Sequence, residues 1–166
     1  MSPQRPEHAR FSFCFAPSVE LISIVRRAVT DFCRRVLSDA EAVARLGLAT
    51  HELLENSMRY SRDGMAELMV EVILEGAGGR VSVRTRNRAA PEHLATLQTA
   101  LDRIGRAPDP AAHYQRLIRE TARRRGGSQL GLGRIRAEAD MALAYEIEGT
   151  TVSVLAQACV GAAAGA

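Results

Sequence analysis

The chain has 166 residues, of which 46% are hydrophobic and 25% charged, and this balance excludes a disordered chain. The length fits one domain with a substantial core. The net charge of +3 is too small to indicate a nucleic-acid binder by itself. Three widely spaced cysteines without a Cys-x-x-Cys pattern predict neither a disulfide framework nor a zinc site.

The first part of the domain is predicted to be one strand followed by two helices. Residues 11–15 alternate aromatic and small side chains, as a half-buried strand does. A helix over residues 18–37 follows, and Asp39 caps a second helix over 40–60. Both helices carry apolar residues at helical spacing, so each is expected to bury one face.

The second part alternates between strand pairs and helices. From Ala66 the period changes to two, and glycines within 76–79 form the turn of an antiparallel hairpin. The later predicted elements are a helix from Pro91 to about Ile104, one from Asp109 to about Arg124, one at 132–139, and strands at 142–148 and 151–156. This order predicts an α+β fold, a two-layer sandwich with helices on one face of a mixed, mainly antiparallel sheet.

The domain is expected to fill most of the chain. We predict a flexible leader at 1–10, the folded domain at 11–157 and a flexible tail at 158–166. The N-terminal residues lack the apolar core of a signal peptide, and no run of about 18 apolar residues occurs. We therefore expect a cytoplasmic protein that does not insert into a membrane.

The most informative stretch is residues 51–61, His-Glu-Leu-Leu-Glu-Asn-Ser-Met-Arg-Tyr-Ser. On a helix, Glu52, Asn56 and Arg59 project from neighbouring turns, and together they could hold a metal-bound nucleotide. The alternative is a solvated helix face on which Glu55 pairs with Arg59. Asn56 favours the first interpretation, because Asn is a poor residue for the middle of a helix unless a ligand or hydrogen bond holds it.

A second motif is the glycine-rich stretch Gly-Gly-Ser-Gln-Leu-Gly-Leu-Gly at 126–133. We expect a loop that leads directly into a helix, where backbone N–H groups and the helix dipole can receive phosphate oxygens. Ser128 would add a hydroxyl donor. The alternative is that the glycines merely end one helix and begin another.

Together the two motifs resemble those of the GHKL, or Bergerat-fold, family of ATP-binding domains, which includes DNA gyrase, histidine kinases and the anti-sigma serine kinases. Residues 52–61 are similar to the family's N-box, and residues 127–133 are similar to its late glycine box. The similarity extends over residues 11–156, and the anti-sigma serine kinases are the most similar members.

The resemblance implies a site for ATP and Mg²⁺. Asn56 would be the metal ligand, and Glu52 would be the general base that activates a hydroxyl group or water. The family's pattern places these further residues near the nucleotide: Arg59, Ser128, Gly131, Leu132 and Gly133.

The adenine-binding box departs from the family's pattern. Where the family has Asp-x-Gly-x-Gly after a strand, this chain has Asn87, Ala89 and Pro91. Asn87 could still accept one hydrogen bond from adenine, but a carboxylate would accept it about twice as strongly. Ala89 and Pro91 add bulk and restrict the backbone. Weakened nucleotide affinity is therefore expected.

The resemblance implies a regulatory domain similar to the anti-sigma factor serine protein kinases. Its partner would be a STAS-domain antagonist or a sigma factor, which it would bind and could phosphorylate. One alternative is a non-catalytic interaction module that has the same fold and has lost productive nucleotide binding. Another is the catalytic domain of a histidine kinase, separated from its dimerisation helix.

Two further features leave alternatives open. The basic run Arg116–Arg125 could clamp phosphates, contact an acidic partner or face water. Nucleic-acid binding is not expected, because no set of aromatic side chains for base stacking accompanies these arginines. A homodimer could form through the exposed face of the sheet or through the first strand.

Overall fold

A computed structural model describes residues 7–76, 78–123 and 128–161, apart from the side chains of Arg123 and Ser128. These ranges contain five strands and five helices, in the order β1 (His8–Phe15), α1 (Val19–Val36), α2 (Ala40–Tyr60), β2 (Ala66–Glu75), β3 (Gly78–Arg88), α3 (Pro91–Gly105), α4 (Pro110–Arg123), α5 (Ser128–Ala137), β4 (Ala142–Glu148) and β5 (Thr151–Gly161).

The five strands form one sheet in the order β1-β2-β3-β5-β4. Each of the four pairings between described strands is antiparallel, so the expected α+β sandwich is confirmed with an antiparallel rather than a mixed sheet. Gly76 and Gly149 have positive φ angles of 53° and 60° at the two hairpin turns, a conformation that glycine adopts without steric cost.

The helices cover one face of this sheet, and the hydrophobic core lies between the two layers. Alternate strand residues such as Val70, Val83 and Val154 are buried against the helices. Helix α2 lies in the middle of the helical layer, where it contacts α1, α5 and β3. In the described residues, no helix combines the length and apolar character needed to cross a membrane.

The strands extend further than the alternation of apolar residues predicted. His8 pairs with Ile73 at the start of β1, and Gly161 pairs with Gly78 at the end of β5. Residues 8–10 of the expected leader and 158–161 of the expected tail therefore belong to the sheet, because ladder pairing continues beyond the alternating segments. Residues 1–6 and 162–166 lie outside the described ranges.

The predicted helix starts are confirmed for α1 and α2, and each has a polar cap. The Ser18 hydroxyl accepts a hydrogen bond from the Leu21 N–H. The Asp39 carboxylate accepts hydrogen bonds from the N–H groups of Glu41 and Ala42, at 2.9 and 3.1 Å. These bonds satisfy backbone N–H groups that have no partner within the helix. Asp39 therefore determines where α2 starts.

Replacing the cap of α2 should therefore destabilise the domain. We expect Asp39→Ala to lower the free energy of unfolding by about 1 kcal/mol, measured by urea denaturation with circular dichroism. Asp31→Ala is the matched control, because Asp31 is exposed on α1 and pairs only with Arg34, three residues away. An equal loss in both variants would contradict the capping role.

Candidate functional site

Helix α2 buries the polar side chains that the sequence singled out. Glu52 and Asn56 lie one turn apart with only 7% and 8% of their surfaces exposed. A glutamate on a solvated helix face would be exposed, so this alternative is wrong for Glu52. Buried polar groups need partners, because leaving water without compensation costs free energy.

The partner of Glu52 is Arg134 of α5. Arg134 Nη1 donates a hydrogen bond to Glu52 Oε1 at 3.1 Å, and Arg134 Nε donates another to Glu138 Oε2 at 2.7 Å. Burial raises the pKa of the Glu52 carboxyl above its ordinary value, although the hydrogen bond and charge of Arg134 oppose this shift. A carboxyl group with a raised pKa suits proton transfer near neutral pH.

Asn56 has no such partner. Its Oδ1 atom is buried and accepts no hydrogen bond from a described residue. An unpaired buried amide oxygen costs roughly 1–3 kcal/mol, and a bound cation or water would relieve this cost. In the described part of the chain, no cluster of three or more His, Cys, Asp or Glu side chains is suited to a metal. A metal here would therefore depend on Asn56 together with oxygens of its ligand.

Residues 128–133 of the expected glycine-rich loop are instead the beginning of helix α5. Gly131, Leu132 and Gly133 all lie inside the helix. A Cβ atom on Gly131 would overlap Oε2 of Glu52, and one on Gly133 would lie 2.8 Å from Cδ1 of Leu117. The two glycines therefore leave room for the side chains of Glu52 and Leu117, which would have to shift if either position carried a larger residue.

Leu132 has a different place from the one predicted. Its side chain is buried in the hydrophobic core, with 1% of its surface exposed, rather than lining a ligand site. Ser128 is the first residue of α5, but its side chain lies outside the described residues, as do Gly126 and Gly127. The predicted hydroxyl donor thus stays a prediction.

The last turn of α2, which follows Asn56, lies closer to solvent. Arg59 is exposed in the last turn. The Glu55–Arg59 pair of the alternative interpretation is not formed, because Glu55 instead pairs with His51 at 3.2 Å. Tyr60 is half-buried, and its ring makes an edge contact with the ring of His93 at 5.5 Å between centroids. Arg59 is thus not part of the buried group around Glu52.

The segment that replaces the adenine box continues the sheet. Asn87 is buried near the end of β3, where it pairs with Val152 of β5. Ala89 is fully buried, forms a bridge with Ser61 just after α2, and donates its N–H to the Thr150 carbonyl at 2.8 Å. Pro91 is the first residue of α3. These contacts bring Asn87 to the C-terminal end of α2.

A basic groove runs beside the Glu52 site. It has a volume of about 520 Å³, lies between α1 and α2, and reaches Arg134. Its charged residues are Arg26, Arg27, Asp31, Arg34, His51 and Arg134. Asp31 is the sole carboxylate among them and pairs with Arg34 at 3.3 Å. The groove therefore suits an acidic segment better than a basic one.

Arg134 is a residue of the candidate site that the two motifs did not indicate. It directly contacts Glu52, although the two residues are 82 positions apart in sequence. A contact between helices this distant in sequence leaves no local pattern, so residue spacing could not have predicted it.

Comparisons with known proteins agree with this fold. A family model described as the histidine kinase-like ATPase domain matches residues 15–155. A search of curated proteins found no match. Among solved structures, a chain in the crystal structure of the SiaB-SiaC complex from Pseudomonas aeruginosa has a TM-score of 0.62 and 15% identity, covering 90% of this chain and 89% of that chain. At this identity the likeness shows the fold alone.

The resemblance that the two motifs indicated is therefore confirmed. The family match covers all five helices and strands β2, β3 and β4 of the described structure, together with the last residue of β1 and the first half of β5. The chain belongs to the histidine kinase-like ATPase domain family.

Proposed function

We propose that this chain is a regulatory domain that binds Mg-ATP between α2 and α5 and acts on a partner protein. The observation that carries the proposal is the buried, unpartnered Oδ1 of Asn56, one helical turn from a buried carboxyl group with a raised pKa. Membership of an ATPase-domain family supports a nucleotide as the ligand.

Each residue of the site would have a distinct role. Asn56 Oδ1 would hold the metal, and Glu52 would take the proton from a partner's serine hydroxyl as that oxygen attacks the terminal phosphorus of ATP. The bond between this phosphorus and the bridging oxygen would break, and ADP would leave. Mg²⁺ would neutralise charge on the phosphate oxygens. Arg134 donates to Oε1 of Glu52, so Oε2 is the oxygen that would accept this proton.

The basic groove between α1 and α2 supports a protein partner with an acidic segment. The groove ends at Arg134, so a segment bound there would approach Glu52. The solved structure with the same fold is itself a complex of two proteins, which is consistent with this proposal. A STAS-domain antagonist or a sigma factor remains the proposed class of partner.

A second candidate function is a non-catalytic interaction module with the same fold. Two observations favour it: Arg134 occupies the Glu52 carboxylate, and Asn87 and Ala89 replace the carboxylate and the first glycine of the adenine box. In that case the partner would bind without nucleotide. Nucleotide binding separates the two candidates.

Calorimetry with ATP and Mg²⁺ should detect binding that depends on Asn56. We expect Asn56→Ala to weaken Mg²⁺-dependent binding by about tenfold, because it removes the metal's protein ligand. Gln157→Ala is the control, since Gln157 lies on the opposite face of the sheet from α2. Absence of binding by the unchanged protein at millimolar ATP would reject the ATP-binding proposal and favour the non-catalytic module.

Phosphate transfer should depend on Glu52 more than nucleotide binding does. We expect Glu52→Gln to lower transfer from radiolabelled ATP to a STAS-domain acceptor by about 100-fold or more, with little change in ATP affinity. Glu55→Gln is the control, because Glu55 lies on the same helix and pairs with His51 instead. An equal loss of transfer in both variants would contradict a role for Glu52 as base.

Glu52 should also make stability depend on pH. A carboxyl group with a raised pKa in the folded state contributes stability below its unfolded pKa, and this contribution is lost as pH rises through the folded pKa. At pH 7 we therefore expect Glu52→Gln to unfold at a higher temperature than the unchanged protein, and this gain should shrink as the pH falls to about 4. A lower melting temperature at pH 7, beyond that of Glu55→Gln, would show that the Arg134 ion pair outweighs the cost of burial.

A further inference from the structure

A second cavity lies between α3 and α4. Its volume is about 330 Å³, at the lower end of the range of roughly 300–1,000 Å³ that is usual for ligand pockets. The side chains that matter to its chemistry are Arg103, Arg106, His113, Arg116 and Glu120. Glu52, Asn56 and Arg134 do not line it, so this cavity is distinct from the proposed nucleotide site.

His113 gives the first reason to expect a ligand there. Only 8% of its surface is exposed, and its Nε2 atom is buried without a hydrogen-bond partner among the described residues. An unpaired buried ring nitrogen is costly, and buried polar groups in folded proteins are nearly always satisfied by protein, water or ligand. The imidazole therefore lines the cavity with one ring nitrogen that has no partner among the described residues.

The surrounding charges give the second reason. Neither Arg103 nor Arg116 forms an ion pair with another residue in the described ranges, although both line the cavity. Arg106 is partly compensated, because it lies 3.9 Å from Asp102, which also accepts a hydrogen bond from the Tyr145 hydroxyl. Three arginines and one carboxylate, that of Glu120, thus line the cavity, so its net charge is positive.

The pKa of His113 responds to the charges around the cavity. Burial lowers its pKa below the ordinary value, and the positive charges of Arg103 and Arg116 lower it further. Glu120 is the carboxylate that opposes this effect, and it is exposed on α4. An anion between the two arginines would offset their repulsion and would oppose their effect on the pKa of His113.

We propose that this cavity binds a phosphate-type oxyanion, either inorganic phosphate or the phosphate group of a small ester. Guanidinium groups donate paired hydrogen bonds that match the geometry of phosphate oxygens. Two uncompensated arginines also match a phosphate group, which carries about −1.5 to −2 charges at neutral pH, better than a single carboxylate. The proposal goes beyond the proposed function, because it concerns a separate site.

Histidine NMR tests this proposal within one molecule. The chain has four histidines, at positions 8, 51, 93 and 113, and the His113→Gln variant identifies the His113 ring signals. Sodium phosphate is titrated at constant ionic strength against sodium chloride. We expect the His113 signals to move saturably at millimolar phosphate or below, while those of His8 and His93 stay fixed. His113 signals that do not move, or that move equally with chloride, would overturn the proposal.

Arg103 and Arg116 should determine the affinity of the cavity for phosphate. We expect Arg103→Gln and Arg116→Gln each to raise the phosphate dissociation constant by about tenfold, since each removes a charge-assisted hydrogen-bond donor. Arg119→Gln is the matched control, because Arg119 lies on α4 and does not line the cavity. Equal weakening by Arg119→Gln would mean that a diffuse basic surface attracts the ion, and would overturn the assigned site.

Two further measurements identify which phosphate compound binds and test whether this cavity is separate from the proposed nucleotide site. Tighter binding of glycerol 3-phosphate than of phosphate would support a small ester as the ligand, and equal or weaker binding would support the free ion. Asn56→Ala should leave the His113 response unchanged, so a failure of nucleotide binding and a failure of this proposal are distinguishable. Loss of the His113 response in Asn56→Ala would overturn the claim of a separate site.

Discussion

The close approach of α5 to α2 determines the environment of Glu52. Gly131 leaves room for the Glu52 carboxylate, which a Cβ atom at this position would overlap. Once α5 lies this close, Glu52 is buried, Arg134 reaches its Oε1 atom and Leu132 enters the core. Gly133 repeats the arrangement against Leu117 of α4. Gly131 and Gly133 therefore act through helix packing, and any contact that they make with phosphates would come in addition.

This packing has an electrostatic cost and a functional consequence. Removing Glu52 from water penalises its charged form, and one guanidinium group that is also shared with Glu138 compensates only in part. A stronger partner for Arg134 could therefore release the Glu52 carboxylate from its hydrogen bond with Arg134. A nucleotide's terminal phosphate would be such a partner, because phosphate carries more charge than a carboxylate.

The sequence predicted those features that depend on local physical chemistry. Asp39 marks the start of α2 because capping is a local hydrogen bond, and Asn56 attracted notice because a mid-helix amide needs a partner. The start of α5 could not be predicted in this way, since each glycine costs a helix about 1 kcal/mol relative to alanine and tertiary packing overrode that preference. Arg134 and His113 gave no local signal, because their importance arises from contacts between helices that are distant in sequence or from burial.

The segment that replaces the adenine box shows how far the family's pattern can change without disturbing the fold. Asn87 stays in register with Val152, and Ala89 closes the end of β3 through its bridge to Ser61 and its hydrogen bond to Thr150. Ala89 has no positive φ angle, so this position does not require glycine and alanine is accommodated without strain. A rigid end of β3 leaves less freedom to fit a base, and a neutral amide offers a weaker contact to it. Any nucleotide bound here would therefore be held mainly through its phosphates and metal, so the base would contribute less to affinity than in members that keep the acidic residue and the glycines.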